Sequence, residues 1–307
     1  MKRKGRDIDT REKSTQQSAA EFFSEHQQIA GFDNPGKSLF TTIRELVENS
    51  LDAAESIHAL PVIRVTVTEY TEEEHNKRHG IIIGDTSKSA VVNASTGNSE
   101  GLHEEAQQIE GVTPKQNIGR TSSLAQSGKE LMYYTIQCQD NGCGIAPDLI
   151  SELLGRVLSG SKHGVRQTRG KFGLGAKMAL IWSKKSSGLP ITVKSAYSPS
   201  VDKPATCVTT VVLDMDIQRN EPRVLSTSTS SLSIEGMEDD EKWCRGLDMN
   251  VTIAGAWSAC RSRVLQYFQQ LAVITPYAHL SLEFVSTRDQ KKNFTAEFVR
   301  RYAFEFL

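Results

Sequence analysis

Leu39, Phe40, Ile43, Leu46, Val47 and Leu51 recur at helical spacing. Asn34 stands before them as an N-cap and Pro35 suits the first helical position, so the pattern predicts a helix that begins at residue 35. On that helix Glu45, Asn49 and Asp52 fall at i, i+4 and i+7 and share one face. A buried helix rarely lines up that many polar groups without a ligand, ion or water to satisfy them. Taken alone, the trio could equally be a solvated face.

Strand patterns follow. Ile63, Val65 and Val67 alternate with Val62, Arg64, Thr66 and Thr68 across residues 61–70. Further strands are predicted over 133–138, 191–196, 207–215, 246–253, 280–285 and 294–300, with a helix over 256–272 and another opening at Met178-Ala179-Leu180-Ile181-Trp182. Ser18 and Glu21 form a capping box for a short helix over 18–26. Residues 1–17 read as a disordered basic tail. Residues 71–130 are polar and lack sustained periodicity, apart from Ile81-Ile82-Ile83. They are expected to be a largely disordered insertion between two strands that pair. Residues 226–242 read as a Ser/Thr-rich and then acidic linker. The sum is an α+β fold, a two-layer α/β sandwich with helices on one face of a mixed, mainly antiparallel sheet.

Two further segments carry chemistry. Asp140-Asn141-Gly142-Cys143-Gly144-Ile145 follows a predicted strand; by itself it is most often a turn. Arg169-Gly170-Lys171-Phe172-Gly173-Leu174-Gly175-Ala176-Lys177 leads into a helix. Glycines let a backbone approach phosphates, and a helix that begins there aims N–H groups and its positive dipole end at an anion. Lys171 and Lys177 add charge. A dinucleotide-binding fold would place such glycines between an early strand and helix, with an acid about 20 residues later. Here they come late, which disfavours it. The ordered set of three is far more specific than any member.

That order, ELVENSLDA, DNGCGI and GKFGLGAK, resembles the GHKL ATPase family of gyrase, heat-shock chaperone, histidine kinase and MutL, with its Bergerat fold. Within it, Ser18–Phe23, IAGFDNP at 29–35, RVLSGSK at 156–162 and LAVITPYA at 271–278 resemble the B subunits of type IIB DNA topoisomerases (topoisomerase VI), in the eukaryotic, plant-like form. The similarity covers roughly residues 18–70 and 131–300.

The resemblance implies an ATP-hydrolysing topoisomerase subunit that works with Mg²⁺ in the nucleus. Glu45 would be the catalytic residue that polarises the attacking water. Asn49 would supply an oxygen to Mg²⁺. Asp140 would accept the adenine amino group, with Gly142 and Gly144 letting the chain pass close to the base. Lys162, Gly170, Lys171, Phe172, Gly173, Leu174, Gly175, Ala176 and Lys177 would surround the phosphates. Glu48 would make a structural salt bridge, and Asp52 would hold the N-terminal helix or an ordered water. Partners implied are a second copy of this type, in an ATP-dependent homodimer through residues 1–30, and an A-type cleavage subunit related to meiotic recombination proteins. DNA would be reached through the whole assembly. The family's cleaving tyrosine belongs to the A-type partner.

Two departures qualify this. Where relatives carry His-Gly-Thr or His-Gly-Ala, and a threonine would help bind adenine through water, this chain has Arg245-Gly246-Leu247-Asp248, and the Leu247 side chain can neither donate nor accept. The family also continues into helix–two-turn–helix and transducer domains, the latter supplying a lysine to the γ-phosphate. This chain stops at 298–307, so a truncated product or incomplete gene model with weak ATP turnover is expected. The rival readings are another GHKL machine, of the mismatch-repair or chaperone kind, and a nucleotide-dependent interaction module without turnover.

Composition changes little. Thirty-six Lys and Arg against 37 Asp and Glu give a net charge of −1, which excludes a generally basic nucleic-acid binder. Lys2, Arg3, Lys4 and Arg6 form a local basic run that suits a nuclear signal, a DNA-touching arm or a solvated tail. The five cysteines are widely spaced, which fits reduced thiols rather than zinc or a disulfide framework. No apolar run approaches the ~20 residues of a membrane span.

Overall fold

The computed structural model describes residues 31–32, 34–79, 132–155, 174–216, 219, 221–232 and 243–302. Helix α1 runs Pro35–Ser56. Asn34 is extended, and its Oδ1 accepts the Lys37 N–H at 2.8 Å, satisfying one of the helix's open donors. The predicted apolar stripe, Leu39 to Leu51, is buried.

Strand β1 (Val62–Thr71) pairs antiparallel with β2 (Met132–Asp140), from Ile63 opposite Asp140 to Thr71 opposite Met132. The stretch between them thus joins neighbouring strands, as its sequence suggests. It opens, however, with an ordered helix, α2 (Glu72–His79). No apolar stripe announces it. Glu72, Glu73 and Glu74 in its first turn and Lys77, Arg78 and His79 in its last complement the helix dipole. His75 is buried and stacks on Tyr133 at 3.8 Å, and Arg78 lies 4.5 Å from the Tyr70 ring centre. The remainder of the expected insertion, residues 80–130, lies outside the described residues, as do the basic tail and the expected 18–26 helix.

Strands β3 (Ile191–Ala196), β4 (Cys207–Asp216), β5 (Glu221–Ser231), β6 (Gly246–Gly255), β7 (His279–Ser286) and β8 (Phe294–Phe298) complete one sheet. Its order is β5-β4-β3-β6-β2-β1-β7-β8. Only β1 and β7 pair in parallel; the other ladders are antiparallel. Strand β5 corrects the expected linker: residues 226–231 lie in it, not in a connection. It pairs with β4 from Cys207–Ser231 to Asp216–Glu221, with a bulge at Val212/Leu213. Nearly all its side chains are exposed. An edge strand held by its main chain needs neither alternation nor apolar residues, so the hydropathy pattern is silent there. Residues 233–242 of that linker lie outside the described residues.

Helices α3 (Ile150–Gly155), α4 (Leu174–Ser187) and α5 (Trp257–Ile274) complete the fold. Leu39 and Val47 of α1, Ile181 of α4 and Phe268 of α5 share one core with Val65, Ile136, Val193, Val251 and Leu282 of the sheet. Helix α4 also closes a sheet edge. Beyond Asn250 the β3–β6 ladder ends. There the Ser183 and Ser187 hydroxyls donate to the Thr252 carbonyl at 2.7 and 2.9 Å, and the Ala254 N–H donates to the Ser186 hydroxyl at 3.2 Å. These serines stand in for a missing strand and tie α4 to the sheet that carries the candidate site.

Candidate nucleotide-binding site

Asp140 ends β2, and the chain then turns through Asn141 to Ile145. The turn is fixed on every side. The Asn141 side chain accepts the Val62 N–H at 2.8 Å and donates to the Leu60 carbonyl at 3.0 Å. A Cβ on Gly142 would lie 2.6 Å from the Ala53 Cβ of α1, so only glycine lets the turn press against that helix. At Gly144 (φ 66°) the chain passes beside β3, where the Ser195 hydroxyl accepts the Ile145 N–H at 2.8 Å and donates to the Ile145 carbonyl at 2.7 Å.

The Asp140 carboxylate, only 3 % exposed, lies where this turn meets α1 and β6. Its Oδ1 accepts N–H groups from Gly142 at 2.9 Å and Leu247 at 3.1 Å, and its Oδ2 accepts the Ser50 hydroxyl of α1 at 2.8 Å. Burial pushes its pKa up to about 6, against the pull of these three hydrogen bonds, and Asp248 adds to the rise. A carboxylate oxygen has about two lone-pair sites. Oδ1 has both engaged, whereas one accepted hydroxyl at Oδ2 leaves capacity for a second donor. The Leu247 side chain cannot take the polar role expected of that position. Its main chain instead holds the carboxylate.

Next to this turn, α1 carries Glu45 and Asn49, both half-buried. The Asn49 amide N–H₂ donates to the Glu45 carbonyl one turn back, at 2.8 Å, which directs Oδ1 the other way. Glu45 Oε1 accepts from Arg44 Nη2 at 2.5 Å, and Arg44 Nε lies 3.7 Å from Glu48 Oε1. Helix α4 packs beside α1 in the same core. It begins at Leu174, so Leu174, Gly175 and Ala176 supply first-turn N–H groups that the helix itself does not satisfy, and Lys177 follows them. Lys177 is 2 % exposed, and burial lowers its pKa to about 8. Lys162, Gly170, Lys171, Phe172 and Gly173 lie outside the described residues.

Sequence reasoning missed three parts of this site. Ser50 sits between the two motif residues Asn49 and Leu51. Trp243 donates its indole N–H to the Asp140 carbonyl at 2.7 Å. Gly246 (φ 114°) brings the start of β6 so close that a Cβ there would lie 2.0 Å from the same carbonyl oxygen. Ser50 was within reach of the helical pattern, one turn before Ala53. The other two are joined to Asp140 only by the fold.

The residues fit an adenine nucleotide with a hard cation. A buried carboxylate with acceptor capacity suits an exocyclic amino group. Asn49 Oδ1 suits Mg²⁺, which keeps several waters and takes few protein ligands. Among the described residues no group of three or more His, Cys, Asp or Glu could hold a metal by itself. The described cysteines are unbridged, and no helix among the described residues is long and apolar enough to cross a membrane.

This sheet, with its helical layer and a strand-end Asp turn against a polar helix face, defines the GHKL-type α/β sandwich. No family model matches the chain. It is 44 % identical over 298 residues to the B subunit of DNA topoisomerase 6 from Arabidopsis thaliana, a match that spans 94 % of this chain and 42 % of that protein. The Oryza sativa subsp. japonica protein of that name is 42 % identical, over 93 % of this chain and 40 % of its own length. The B subunit of type 2 DNA topoisomerase 6 from Saccharolobus islandicus (strain Y.N.15.51 / Yellowstone #2) is 30 % identical, over 88 % and 38 %. Across the segment it spans, the chain is similar to the B subunits of DNA topoisomerase 6 from plants and from an archaeon. It spans about two fifths of the length of these curated relatives.

Proposed function

We propose that the chain binds ATP with Mg²⁺ and hydrolyses it, as the ATPase part of a topoisomerase VI B-type subunit. The observation that carries this reading is the buried Asp140 carboxylate. It is held by three donors and keeps acceptor capacity at Oδ2, and one of those donors, Ser50, belongs to the helix that carries Glu45 and Asn49. Asp140 selects adenine through its amino group. Asn49 Oδ1 holds Mg²⁺, which supplies charge neutralisation at the phosphates when bound. The first turn of α4 and Lys177 face the phosphates with N–H groups and positive charge. Glu45 orients the attacking water and receives its proton. Lys162 and residues 170–173, expected at the phosphates from the sequence, lie outside the described residues.

In the wider assembly, ATP closes a pair of such subunits and a partner of the A type cleaves DNA, in the nucleus. The names of the relatives and their identity across this segment support that setting.

Mg²⁺-dependent ATP binding and turnover by the purified protein test the reading. Asp140→Asn turns an acceptor into a group that meets the adenine amino with its own N–H₂, and binding is expected to fall at least about 100-fold, the scale of a buried polar mismatch. Glu45→Ala is expected to bind ATP normally and lose turnover. Normal binding in Asp140→Asn would remove the assignment, and unchanged turnover in Glu45→Ala would remove the role of that residue.

A further inference from the structure

Trp243 stands 103 positions along the chain from Asp140, yet its indole N–H donates to the Asp140 carbonyl at 2.7 Å. That carbonyl begins the peptide leading into Asn141 and Gly142. It lies in the peptide plane just before the one that carries the Gly142 N–H, and that N–H holds Oδ1 of the carboxylate at 2.9 Å, so fixing the first plane helps to fix the second. The β2–β6 ladder runs only as far as Gln139 opposite Asp248. At the next position the Leu247 N–H bonds the Asp140 side chain, not its carbonyl. The indole therefore takes the donor place a continuing strand would fill. Gly246 brings Trp243 and Leu247 to the same residue from one segment, and its missing Cβ is what lets that segment close in.

We propose that Trp243 is a positioning residue for base recognition: by holding the Asp140 peptide it aims the carboxylate at the adenine amino group and so sets the purine selectivity of the site. This inference rests on the nucleotide reading above. Trp243 touches neither base nor phosphate in this role. It acts through the main chain of the residue that does. A hydrogen bond to an amino group is directional, so a small rotation of the carboxylate weakens it while leaving contacts to sugar and phosphates unchanged. A residue that merely supported the fold would weaken all nucleotides together.

The test compares ATP with purine riboside triphosphate, which lacks the 6-amino group, for wild type, Trp243→Phe and Trp243→His, by calorimetric binding with Mg²⁺ present. Phenylalanine keeps a ring and loses the donor; histidine restores a ring N–H. The expected result for Trp243→Phe is about a fivefold weaker ATP affinity, the scale of one neutral hydrogen bond, with the analogue unchanged. In Trp243→His the preference is expected to return in part. Equal loss for both nucleotides, or full retention of the preference in Trp243→Phe, would overturn the inference while leaving Asp140 in its role. If Trp243→Phe does not fold, Trp243→Leu, which also lacks the donor, takes its place: a preference for ATP reduced about fivefold supports the donor role, and a preference equal to wild type overturns it. A wild type that binds the two nucleotides equally would remove the Asp140 reading itself, and this inference with it.

Discussion

The two ends of the candidate site are built on opposite plans. At the proposed base end, Asp140 is buried, takes three hydrogen bonds, and is gripped through its main chain by Trp243 and the close pass of Gly246. At the proposed hydrolysis end, Glu45 and Asn49 lie half-buried on one helix, and the Glu45 carboxylate meets its neighbour Arg44. The first end is finished before a ligand arrives. In the proposed reading, the second keeps groups whose partners come with the ligand: phosphate oxygens, a cation and a water. Recognition of a base demands a fixed direction, so it is preorganised at a cost in burial. Groups that act on water and metal need access, so they stay near solvent and contribute little to the fold.

The largest effect separates the two ends by stability. A methyl at Gly246 would collide with the Asp140 carbonyl on a backbone that side chains rarely adopt. Gly246→Ala is expected to destabilise the protein by about 3 kcal/mol, adding overpacking to backbone strain, and to weaken ATP binding as well. Asn49→Ala, at the other end, is expected to shift stability by less than about 1 kcal/mol, since alanine is the better helix former, yet to abolish the Mg²⁺ dependence of nucleotide binding. Urea denaturation of both variants decides it. Comparable stability losses would erase the distinction.

A smaller effect comes from pH. Burial holds the Asp140 carboxyl at about 6, above its ordinary 3.8, so the folded protein takes up this proton before the unfolded chain does. Two consequences have opposite signs. The stability cost of burying this charge is present above about 6 and is relieved as pH falls from 6 toward 3.8. Preference for ATP over purine riboside triphosphate needs the carboxylate as acceptor, so it falls over the same window. Between pH 7 and pH 5 the loss is about tenfold, or ~1.4 kcal/mol. Taking the ratio of the two nucleotides cancels protonation of their phosphates. A ratio flat from pH 7 to 5 would show that Asp140 does not read the amino group.

The split between the ends also explains what was legible in the sequence. Helix α1 could be read whole, because Asn34, Pro35 and the stripe from Leu39 to Leu51 are local signals. Strands β3, β6 and β7 alternate and face a core, and their predicted bounds hold to within two residues. Glu45, Asn49 and Asp140 stood out as polar groups in patterns that otherwise bury apolar ones. What secures Asp140 did not, because Trp243, Gly246 and the Leu247 N–H are brought to it only by the fold, just past the end of the β2–β6 ladder. A main-chain donor leaves no mark in residue type, so the hold of the Leu247 N–H on Asp140 could not be read from its side chain. Helix α2 was hidden for a related reason: its order comes from charge at its ends and the stack of His75 on Tyr133, not from a stripe.

Strand β5 sharpens the comparison by separating pairing from side-chain burial. It is paired along its whole length with β4, so by secondary structure it is as ordered as β2. Its residues from Ser226 to Ser231 nevertheless point to solvent or lie along an edge. If regular structure alone made a position costly to change, Ser228→Ala would resemble a change at the base end. If side-chain burial and hydrogen bonding decide, it would resemble an ordinary surface substitution. The expected shift is within about 0.5 kcal/mol, whereas Ser50→Ala, which removes one of three donors from the buried Asp140 carboxylate, is expected to cost about 1–3 kcal/mol. Thermal denaturation of the two serine variants side by side measures the difference. Equal effects would mean that the base end owes its rigidity to the sheet around it, and not to the hydrogen bonds that converge on Asp140.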